Sequence, residues 1–245
     1  MVDPLMGMCR FGDETLPEPL PPEPFGVLLD WMSLAAGSGD ATKKVQPNPN
    51  AMTLGVVDSA GVPSVRVMLA RGVDVGRGFV TFYTNYKSAK GRAISEAPGA
   101  PIALGFFWDD LDRQVCIRGL AARSPERESD SYFNHRPVAS RIAAWASNQS
   151  EPLTSRAQLQ QQNEDAQARF GYREGMSAAA EAELAVPRPP WWGGLRVYAQ
   201  SVQLWRGHSN RLHDRAEWTR ELSPAQVDGV AGFVGGAWRV TRLQP

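Results

Sequence analysis

The chain alternates short apolar runs with turn-forming residues over much of its length. β-branched and aromatic residues fill these runs, and glycine, proline, asparagine or aspartate bounds each of them. The pattern predicts strands over residues 51–58, 62–73, 78–84, 101–108, 113–122 and 195–205, with shorter strands near Trp218 and over 238–242. Short turns join successive strands, and alternating strand–helix units are few. The predicted fold class is therefore mainly β, an antiparallel barrel with peripheral helices rather than a doubly wound sheet.

Helical spacing replaces this alternation in several segments. Apolar residues recur at helical spacing from Phe25 to Leu34, and Gly37 closes that segment. Further helices are predicted over residues 88–96, 124–134, 138–146 and 155–170. The last of these is polar nearly all round and is expected on the surface. Ser124 is expected to cap its helix, with Pro125 at the first helical position.

The pattern predicts one domain preceded by an arm. The first 24 residues contain six prolines, so residues 1–23 are expected to form an irregular arm outside the core. Residues 24–245 are expected to form a single domain, in which the low-complexity segment 171–190 is an insertion loop. Four regularly spaced glycines do not follow a strand and open a helix, so they predict a flexible loop rather than a dinucleotide site. These are Gly229, Gly232, Gly235 and Gly236.

Composition narrows the classes of function. Basic and acidic residues balance at 26 each, so any affinity for phosphate must come from a local group of cations. The two cysteines, Cys9 and Cys116, are too few for a disulfide framework or a zinc site, and no metal is expected. Cys116 is expected to be a small buried residue. No apolar stretch approaches about 18 residues and no secretory signal is visible, so a cytoplasmic location is expected.

A first group of cations lies on adjacent strand ends. Arg66 and Arg71 are expected to project to opposite sides of one strand, while the apolar residues between them fill the barrel. The next strand ends at Tyr83 and Thr84, and Lys90 follows. Arginine and lysine donors in this arrangement suit a phosphate; a solvated basic surface explains the same residues.

A second group surrounds a proline between two helices. Tyr132 and Arg136 are four residues apart and are expected to meet on one helical face. Pro137 ends that helix, and Ser140 is expected to cap the next one, whose free N–H groups attract an anion. These residues predict a phosphate pocket; a pair of surface helices with a capping serine is the alternative.

A third group follows Trp205. Arg211, His213 and Arg215 are spaced to share one face of an extended segment, where cationic side chains repel one another unless they meet an anion. Upstream, Gln114 places an amide inside a strand; a flavin ring or an ordinary edge-strand position explains it equally well. No nucleophile elbow or metal-binding helix accompanies these groups. The residues alone therefore indicate a barrel with an anion pocket.

Taken together, these segments resemble the pyridoxamine (pyridoxine) 5′-phosphate oxidase family from about Pro24 to Pro245. The stretches that carry the resemblance are Arg113-Gln114-Val115, Tyr132-x-x-x-Arg136-Pro137-x-x-Ser140, Ala144-Trp145-Ala146-Ser147-x-Gln149-Ser150, Trp192-Gly193-Gly194, Trp205 to Arg215 with its Arg-Leu-His-Asp-Arg, and Arg242-Leu243-Gln244-Pro245. The resemblance implies an FMN-binding split β-barrel of antiparallel, Greek-key type. It also implies a homodimer that binds FMN at the subunit interface.

The resemblance assigns a role to each matched residue. Arg66 and Lys90 are expected to hold the FMN phosphate, and the flavin is expected to be lined by Val67, Met68, Leu69, Tyr83 and Thr84. Gln114 is expected to bond the edge of the flavin ring, which Trp205 and Arg215 would cover. Gln149 and Ser150 are expected to reach FMN from the other subunit. Arg71 would lie between flavin and substrate. The substrate phosphate is expected to contact Arg71, Tyr132, Arg136 and Ser140. The pyridine ring of the substrate is expected to contact Arg211 and His213, which are the predicted catalytic residues.

The implied reaction oxidises pyridoxamine or pyridoxine 5′-phosphate at C4′ to pyridoxal 5′-phosphate, with hydride transfer to the flavin and reduction of O₂ to H₂O₂. Arg211 is expected to stabilise developing charge, since arginine stays protonated. One alternative is a phenazine-pathway FMN oxidase that acts on an unphosphorylated tricyclic acid; retention of Tyr132, Arg136 and Ser140 argues against it. The other is a non-catalytic flavin or pyridoxal-phosphate binding protein, against which Arg211 and His213 argue. The expected partners exclude nucleic acid and membrane.

The chain departs from the family pattern at four places. Arg71 stands where lysine is usual, Ala89 where arginine is common, and Asn48 where an acidic residue is common. The arm lacks the Arg-x-x-Tyr-type segment that in many members folds over the substrate. Arg10 and Phe11 are its nearest remnants, and no role is assigned to them. These departures bear on the substrate more than on the flavin.

Overall fold

The computed structural model describes residues 11–37, 46–95 and 99–245. The strands are β1 (Ala51–Val57), β2 (Pro63–Leu69), β3 (Gly72–Asp74), β4 (Phe79–Asn85), β5 (Ala100–Trp108), β6 (Arg113–Arg123), β7 (Trp192–Arg206), β8 (Asp214–Thr219), β9 (Leu222–Val227), β10 (Val230–Gly235) and β11 (Arg239–Leu243). The helices are α1 (Phe25–Ala35), α2 (Ala89–Ser95), α3 (Glu126–Asn134), α4 (Val138–Ala146), α5 (Arg156–Phe170) and α6 (Ala178–Ala182).

One large antiparallel sheet dominates the fold. Its path runs β11-β8-β7-β6-β5-β1-β2, while β4 pairs with β7 and β3 pairs with β4. The long strand β7 bonds β4 along its first half and β8 along its second half. A shift of register between Arg118 and Gly119 bends the β6–β7 pair, and a side chain at Gly119 would collide with the Tyr198 carbonyl. The result is a curled half-barrel, as the strand pattern predicted.

The core fills the concave side of the sheet. Helix α1 inserts Phe25, Leu28 and Trp31 into it, and the Trp31 ring meets Trp108 edge-on at 6.5 Å. The buried indole N–H of Trp108 donates to the Pro49 carbonyl at 2.9 Å, which satisfies a polar group that would otherwise be costly to bury. Within the described residues, no helix combines the length and the apolar character needed to span a bilayer.

The convex side of the sheet is different, and we refer to it as the open face. Register places Val67, Thr53, Gly105, Cys116 and Gln203 side by side across five strands on this face. Its apolar side chains are uncovered in the single chain: Val65 is 73% exposed, Val67 is 68% exposed and Phe107 is 52% exposed. An apolar surface of this extent normally marks an interaction site.

This arrangement corrects three predictions about the sheet. The apolar residues between Arg66 and Arg71 do not all fill the barrel, because Met68 and Ala70 pack in or against the core while Val67 lies on the open face. The predicted strand 62–73 is also interrupted, since β2 ends at Leu69 and β3 begins at Gly72. Cys116 is half-buried rather than buried.

Three predictions about loops are corrected as well. The regularly spaced glycines are not a flexible loop; they lie in and beside β10, which pairs with β9 around a turn at Gly229 (φ 84°). Segment 171–190 contains α6 and buries Val186 against α4 and α5. The arm contributes Leu16, only 2% exposed, to the core. Residues 1–10 lie outside the described residues.

The helix starts also differ from expectation. Pro125 and Pro137, rather than Ser124 and Ser140, occupy the N-cap positions of α3 and α4. The prediction for α5 was correct: it buries only Ala166. Ser155 caps this helix by accepting a hydrogen bond from the Gln158 amide.

Candidate functional site

A cavity of about 400 Å³ opens between the end of β2, the end of β4 and helices α3 and α4. It brings together eleven of the residues predicted from sequence: Val67, Met68, Leu69, Arg71, Tyr83, Thr84, Lys90, Tyr132, Arg136, Ser140 and Gln149. The remaining lining residues are Asn85, Ala143, Ala144, Ser147 and Trp192, to which the sequence had given no role. We refer to this space as the cationic cavity.

The pairing of β4 with β7 builds one wall of the cationic cavity. Asn85 at the end of β4 lies opposite Trp192 at the start of β7. Glycines follow Trp192 because the neighbours are too close for side chains: a Cβ on Gly194 would lie 2.5 Å from Ser124 Oγ, and one on Gly193 would collide with the Tyr86 hydroxyl. Packing therefore requires glycine at both positions of the Trp-Gly-Gly stretch. The stretch was visible in the sequence, but the reason for it is seen only in the structure.

Flat aromatic rings form the same wall. The Tyr83 and Tyr132 rings stack 3.9 Å apart at 6°, and the Trp192 ring lies parallel to Tyr83 with centroids 5.5 Å apart. The Arg136 guanidinium sits 4.7 Å from the centre of the Trp192 ring. Arg71 approaches Tyr132 from the other side, at 5.9 Å. Two guanidinium groups are thus held against rings.

The cations of the cavity have no counter-charge in the described part of the chain. Lys90, 8% exposed, has its Nζ bonded to neutral oxygens, Gln149 Oε1 at 3.0 Å and Ser88 Oγ at 3.3 Å. Burial, with a smaller contribution from Arg66, lowers the pKa of Lys90. Burial likewise lowers the pKa of Arg136.

Two donors of the cavity remain unused. Arg136 Nη1 and Thr84 Oγ1 are buried without a hydrogen-bond partner among the described residues. A buried donor without a partner is costly, and native structures leave few of them without a functional reason. Ser140 adds a hydroxyl in the first turn of α4, where backbone N–H groups are also free. The arrangement suits an anion with several acceptor oxygens.

A network that the sequence did not reveal supports the aromatic wall from behind. Arg196 on β7, whose side chain is only 7% exposed, donates to Glu128 Oε2 at 2.6 Å and to Asp228 Oδ2 at 2.7 Å. Glu128 in turn accepts a hydrogen bond from the Tyr83 hydroxyl at 3.5 Å. Burial and the Glu128 charge raise the pKa of Tyr83, so this hydroxyl stays protonated.

The remaining predicted residues lie elsewhere. Gln114, Trp205 and Arg215 are neighbours on the open face, where register pairs Gln114 with Trp205 and Trp205 with Arg215. Arg215 donates to Gln203 Oε1 at 3.0 Å, and Gln114 contacts Cys116 Sγ at 3.4 Å. This group is at the far end of β7 from the cationic cavity. One chain therefore does not bring the two groups together.

Arg211 and His213 occupy a loop over residues 207–213, not an extended strand. Arg211 has φ 67°, which breaks the alternation that would have placed Arg211, His213 and Arg215 on one face. His213 Nδ1 accepts a hydrogen bond from the His208 backbone N–H at 3.0 Å. Burial, then Arg211 and His208, lower the pKa of His213.

Two predicted flavin residues are adjacent to the cationic cavity without lining it. Arg66 lies on the core side of β2 and bonds the Ser64 side chain at 2.8 Å. Ser150 follows Gln149 with φ 77°. The resemblance implied that this pair reaches the flavin from the other subunit, whereas Gln149 lines the cavity of its own chain and accepts a hydrogen bond from Lys90 Nζ at 3.0 Å. Among the positions that depart from the family pattern, Arg71 lines the cavity, whereas Asn48 is exposed and Ala89 begins α2.

Comparison with known proteins agrees with this architecture. The family model described as pyridoxamine 5′-phosphate oxidase matches residues 39–170, and that of the pyridoxine 5′-phosphate oxidase C-terminal dimerisation region matches residues 192–245. A pyridoxine/pyridoxamine 5′-phosphate oxidase of Burkholderia thailandensis is 42% identical over 224 residues, which cover 91% of this chain and 90% of the relative.

Solved structures share the fold. PhzG from Burkholderia lata, in complex with tetrahydrophenazine-1-carboxylic acid, superposes with a TM-score of 0.75 at 28% identity, covering 96% of this chain and 99% of that chain. A pyridoxamine 5′-phosphate oxidase-related, FMN-binding protein of Nostoc punctiforme has a TM-score of 0.59 at 14% identity over 91% of this chain and 98% of that chain, a likeness of fold alone.

Fold, cavity and relatives together define a split-barrel oxidoreductase of the flavin-dependent type. The chain belongs to the pyridoxamine 5′-phosphate oxidase family. The resemblance inferred from sequence is confirmed, as is the antiparallel split barrel with its C-terminal dimerisation region.

Proposed function

We propose that this protein is an FMN-dependent oxidase that converts pyridoxamine or pyridoxine 5′-phosphate to pyridoxal 5′-phosphate as a homodimer. The observation that carries the proposal is the cationic cavity, in which Lys90, Arg71 and Arg136 converge with no carboxylate in ion-pair contact among the described residues. The amine substrate, O₂ and water give the aldehyde, ammonia and H₂O₂. The alcohol substrate and O₂ give the aldehyde and H₂O₂.

One side of the cavity fits the phosphate of FMN. Lys90 is desolvated there without a compensating charge, and the buried Thr84 hydroxyl has no partner among the described residues. A phosphate would supply charge-assisted hydrogen bonds to both. Val67 and Leu69 offer apolar contacts beside them. When bound, FMN supplies the redox chemistry, since it accepts a hydride from C4′ and passes two electrons to O₂.

The other side fits the phosphate of the substrate. Arg136 Nη1 is buried without a hydrogen-bond partner among the described residues, Arg71 approaches Tyr132, and Ser140 lies in the first turn of α4. Arginine binds phosphate through a rigid fork, so the group that is gripped also becomes oriented. Binding energy from a phosphate remote from C4′ can be used to hold the reacting carbon about 3–3.5 Å from its acceptor.

A second copy of the chain completes the site. Strand β7 runs from Trp192 at the cavity to Arg206, just before the 207–213 loop, a separation of about 45 Å at the usual rise of a straight strand. Arg211 and His213 therefore reach a cationic cavity most directly in a dimer formed through the apolar open face. The match to a C-terminal dimerisation region supports this arrangement. In it, Arg211 would stabilise charge that develops near C4′.

A second candidate function is suggested by the relative bound to tetrahydrophenazine-1-carboxylic acid. An unphosphorylated tricyclic acid would need a wide apolar cleft and one carboxylate contact. The cavity instead keeps Tyr132, Arg136 and Ser140 together on one side, which suits a dianionic phosphate better than a planar ring system.

The test is peroxide release from a substrate panel. Purified protein should be yellow and should form H₂O₂ with pyridoxamine or pyridoxine 5′-phosphate. The Arg136→Ala variant should raise the KM for these substrates by about tenfold to a hundredfold, because a charge-assisted bond contributes about 1.5–3 kcal/mol. The exposed Arg173, remote from the cavity, provides the matched control Arg173→Ala. Colour without turnover would favour a binding protein, and turnover only of dihydrophenazine acids would favour the second candidate.

A further inference from the structure

Residues 11–16, which we call the N-terminal strap, lie across the 207–213 loop. The Phe11 ring meets the His213 ring edge-on at 5.2 Å and the Trp205 ring edge-on at 5.7 Å. The Arg211 guanidinium lies 5.4 Å from the centre of the same Phe11 ring. A single side chain of the strap thus touches both predicted catalytic residues. Edge-on ring pairs and cation–π contacts have preferred geometries, so they restrict orientation as well as position.

The strap is tied down directly after Phe11 and again at Leu16. The Gly12 amide donates to Asp112 Oδ2 at 2.9 Å, and the Gly12 carbonyl accepts from the Ser209 amide at 3.1 Å. Farther along, the Leu16 amide donates to Asp214 Oδ2 at 2.8 Å, and the Leu16 side chain is buried in the core. Phe11 is therefore held at the loop by the backbone that follows it.

Charges strengthen the same attachment. Glu14 forms ion pairs with Arg206 and, at 3.7 Å, with Arg113. Asp13 bonds the Ser209 hydroxyl and lies 3.8 Å from His208 Nε2. These pairs connect the strap to the last residue of β7 and to the middle of the loop. They fix the strap to the segment that carries Arg211 rather than to the cationic cavity of the same chain.

Gly207 makes the close approach of Phe11 feasible. A Cβ at this position would lie 2.5 Å from Phe11 Cδ1 and 3.1 Å from Asp112 Cβ. The Gly207 amide donates to the Asp112 carbonyl at 2.8 Å, so the backbone cannot easily withdraw. A side chain here would have to displace the Phe11 ring.

The loop determines which ring nitrogen of neutral His213 carries the proton. Because Nδ1 accepts the His208 N–H, the neutral ring carries its proton on Nε2 and can donate it to a ligand. The charged groups around this ring are Arg211 and His208, with Asp13 next to His208. The Phe11 edge covers the ring on a further side.

We propose that Phe11 is a positioning residue, whose ring fixes the Arg211 guanidinium and the His213 imidazole in the orientation with which they meet the substrate. The inference rests on the proposed function for the role of those two residues, although the contacts stand independently of it. Phe11 acts through Arg211 and His213, and in the proposed dimer it would lie with them at the cationic cavity of the other subunit.

The test compares Phe11→Ala and Phe11→Leu with the wild type in flavin-free protein by NMR titration. The protein has three histidines, and a His213→Asn variant assigns the His213 signal. Truncation to alanine should remove the ring-current shift at His213 and raise the pKa of His213 towards its ordinary value of 6.5, because part of its cover is lost. Leucine keeps apolar cover but removes the ring, so it should lose the ring-current shift with a smaller change of pKa.

Kinetics provide the second readout. Phe11→Ala should lower kcat/KM by about tenfold, since lost aromatic contacts of this kind have effects of that order. FMN affinity should fall less, because among the described residues Phe11 reaches the flavin site only through its edge-on contact with Trp205. Gly207→Ala should reproduce the defect by displacing the ring, and the double variant should be no worse than Phe11→Ala alone. Leu159→Ala, an exposed apolar truncation on α5, is the control and should behave as wild type.

The two hypotheses fail in different ways. An unchanged His213 titration in Phe11→Ala overturns the positioning role whether or not the wild type oxidises any substrate. A shifted titration in a protein that oxidises no phosphorylated pyridine supports the contact and rejects the proposed function. A loss of FMN affinity in Phe11→Ala as large as the loss of kcat/KM would also overturn the inference, because Phe11 would then act mainly on the flavin site.

Discussion

At the scale of single residues, the site is defined by donors that the described chain itself leaves unused. Spacing identified Tyr132, Arg136 and Ser140, because local helix geometry brings residues three and four positions apart near each other. It could not identify Trp192, whose place depends on the pairing of β4 with a strand more than a hundred residues away. It misplaced Arg211, because a positive φ cannot be foreseen from alternation.

Lys90 offers a prediction at this scale. The Lys90→Met variant keeps the length of the side chain but removes a desolvated charge that has no counter-charge among the described residues. It should weaken FMN binding by about tenfold to a hundredfold, the loss expected of one charge-assisted phosphate contact. Titration of flavin-free protein by fluorescence quenching measures this. Lys87→Met is the matched control, since Lys87 lies over Trp191 outside the cationic cavity. Equal losses in both variants would contradict the assignment.

The buried charge of Lys90 also predicts that the stability of the protein depends on pH. Burial lowers the pKa of folded Lys90 below its ordinary value of 10.5. Between the lowered pKa and 10.5 the unfolded chain binds more protons than the folded one, so the stability of flavin-free wild type rises with pH in that window. Lys90→Met lacks this contribution. Chemical unfolding at neutral pH and near pH 10 should therefore show that the unfolding free energy of the wild type, relative to that of the variant, is greater at the higher pH. The same difference in unfolding free energy at both pH values would argue against a desolvated lysine.

At the scale of elements, Arg196 joins three parts of the fold. It lies on β7, pairs with Glu128 on α3, and pairs with Asp228 in the turn between β9 and β10. That hairpin escaped the sequence pattern because its glycines replace the β-branched residues of an ordinary strand. Gly232 stands where a side chain would come 2.8 Å from the Tyr198 hydroxyl. The glycines there reflect packing that only the folded chain reveals.

Removal of Arg196 should loosen all three elements. Arg196→Met leaves Glu128 and Asp228 without their shared partner, although both retain some exposure at 27% and 19%. The expected loss is about 2–4 kcal/mol of unfolding free energy, near the lower end for breaking a buried pair. Arg127→Met is the control, because Arg127 is 75% exposed and 3.9 Å from Asp228, and should cost less than about 1 kcal/mol. Urea denaturation distinguishes the two variants. Similar midpoints for Arg196→Met and Arg127→Met would show that the Arg196 network does not stabilise the fold.

At the scale of the whole molecule, the sequence predicted a set of site residues but not that one chain holds them in two separate groups. The antiparallel barrel followed from alternating strands and short turns, which are local signals, whereas its split form was implied by the family resemblance. The separation of the cationic cavity from Arg211 follows from the length of β7 and from its two partners, β4 and β8. Such long-range order is set by tertiary pairing. The exposed Val65 and Val67 on the open face show the same limit, because an apolar strand pattern does not say whether its own chain or a second copy covers it.

This separation predicts complementation between two impaired variants, assayed with substrate well below the KM of Arg136→Ala. Arg136→Ala damages the cavity of its own chain and leaves the Arg211 loop intact, whereas Arg211→Ala does the reverse. If each site combines the cavity of one chain with the loop of the other, a mixed dimer holds one intact site and one doubly damaged site. Random reassembly of equal amounts makes about half of the dimers mixed, so about a quarter of wild-type oxidation should return. Peroxide release after joint unfolding and refolding measures it, with each variant refolded alone as control. Should the mixture oxidise the substrate no faster than its components do, both groups would have to serve one chain, and the dimeric site proposed here would be wrong.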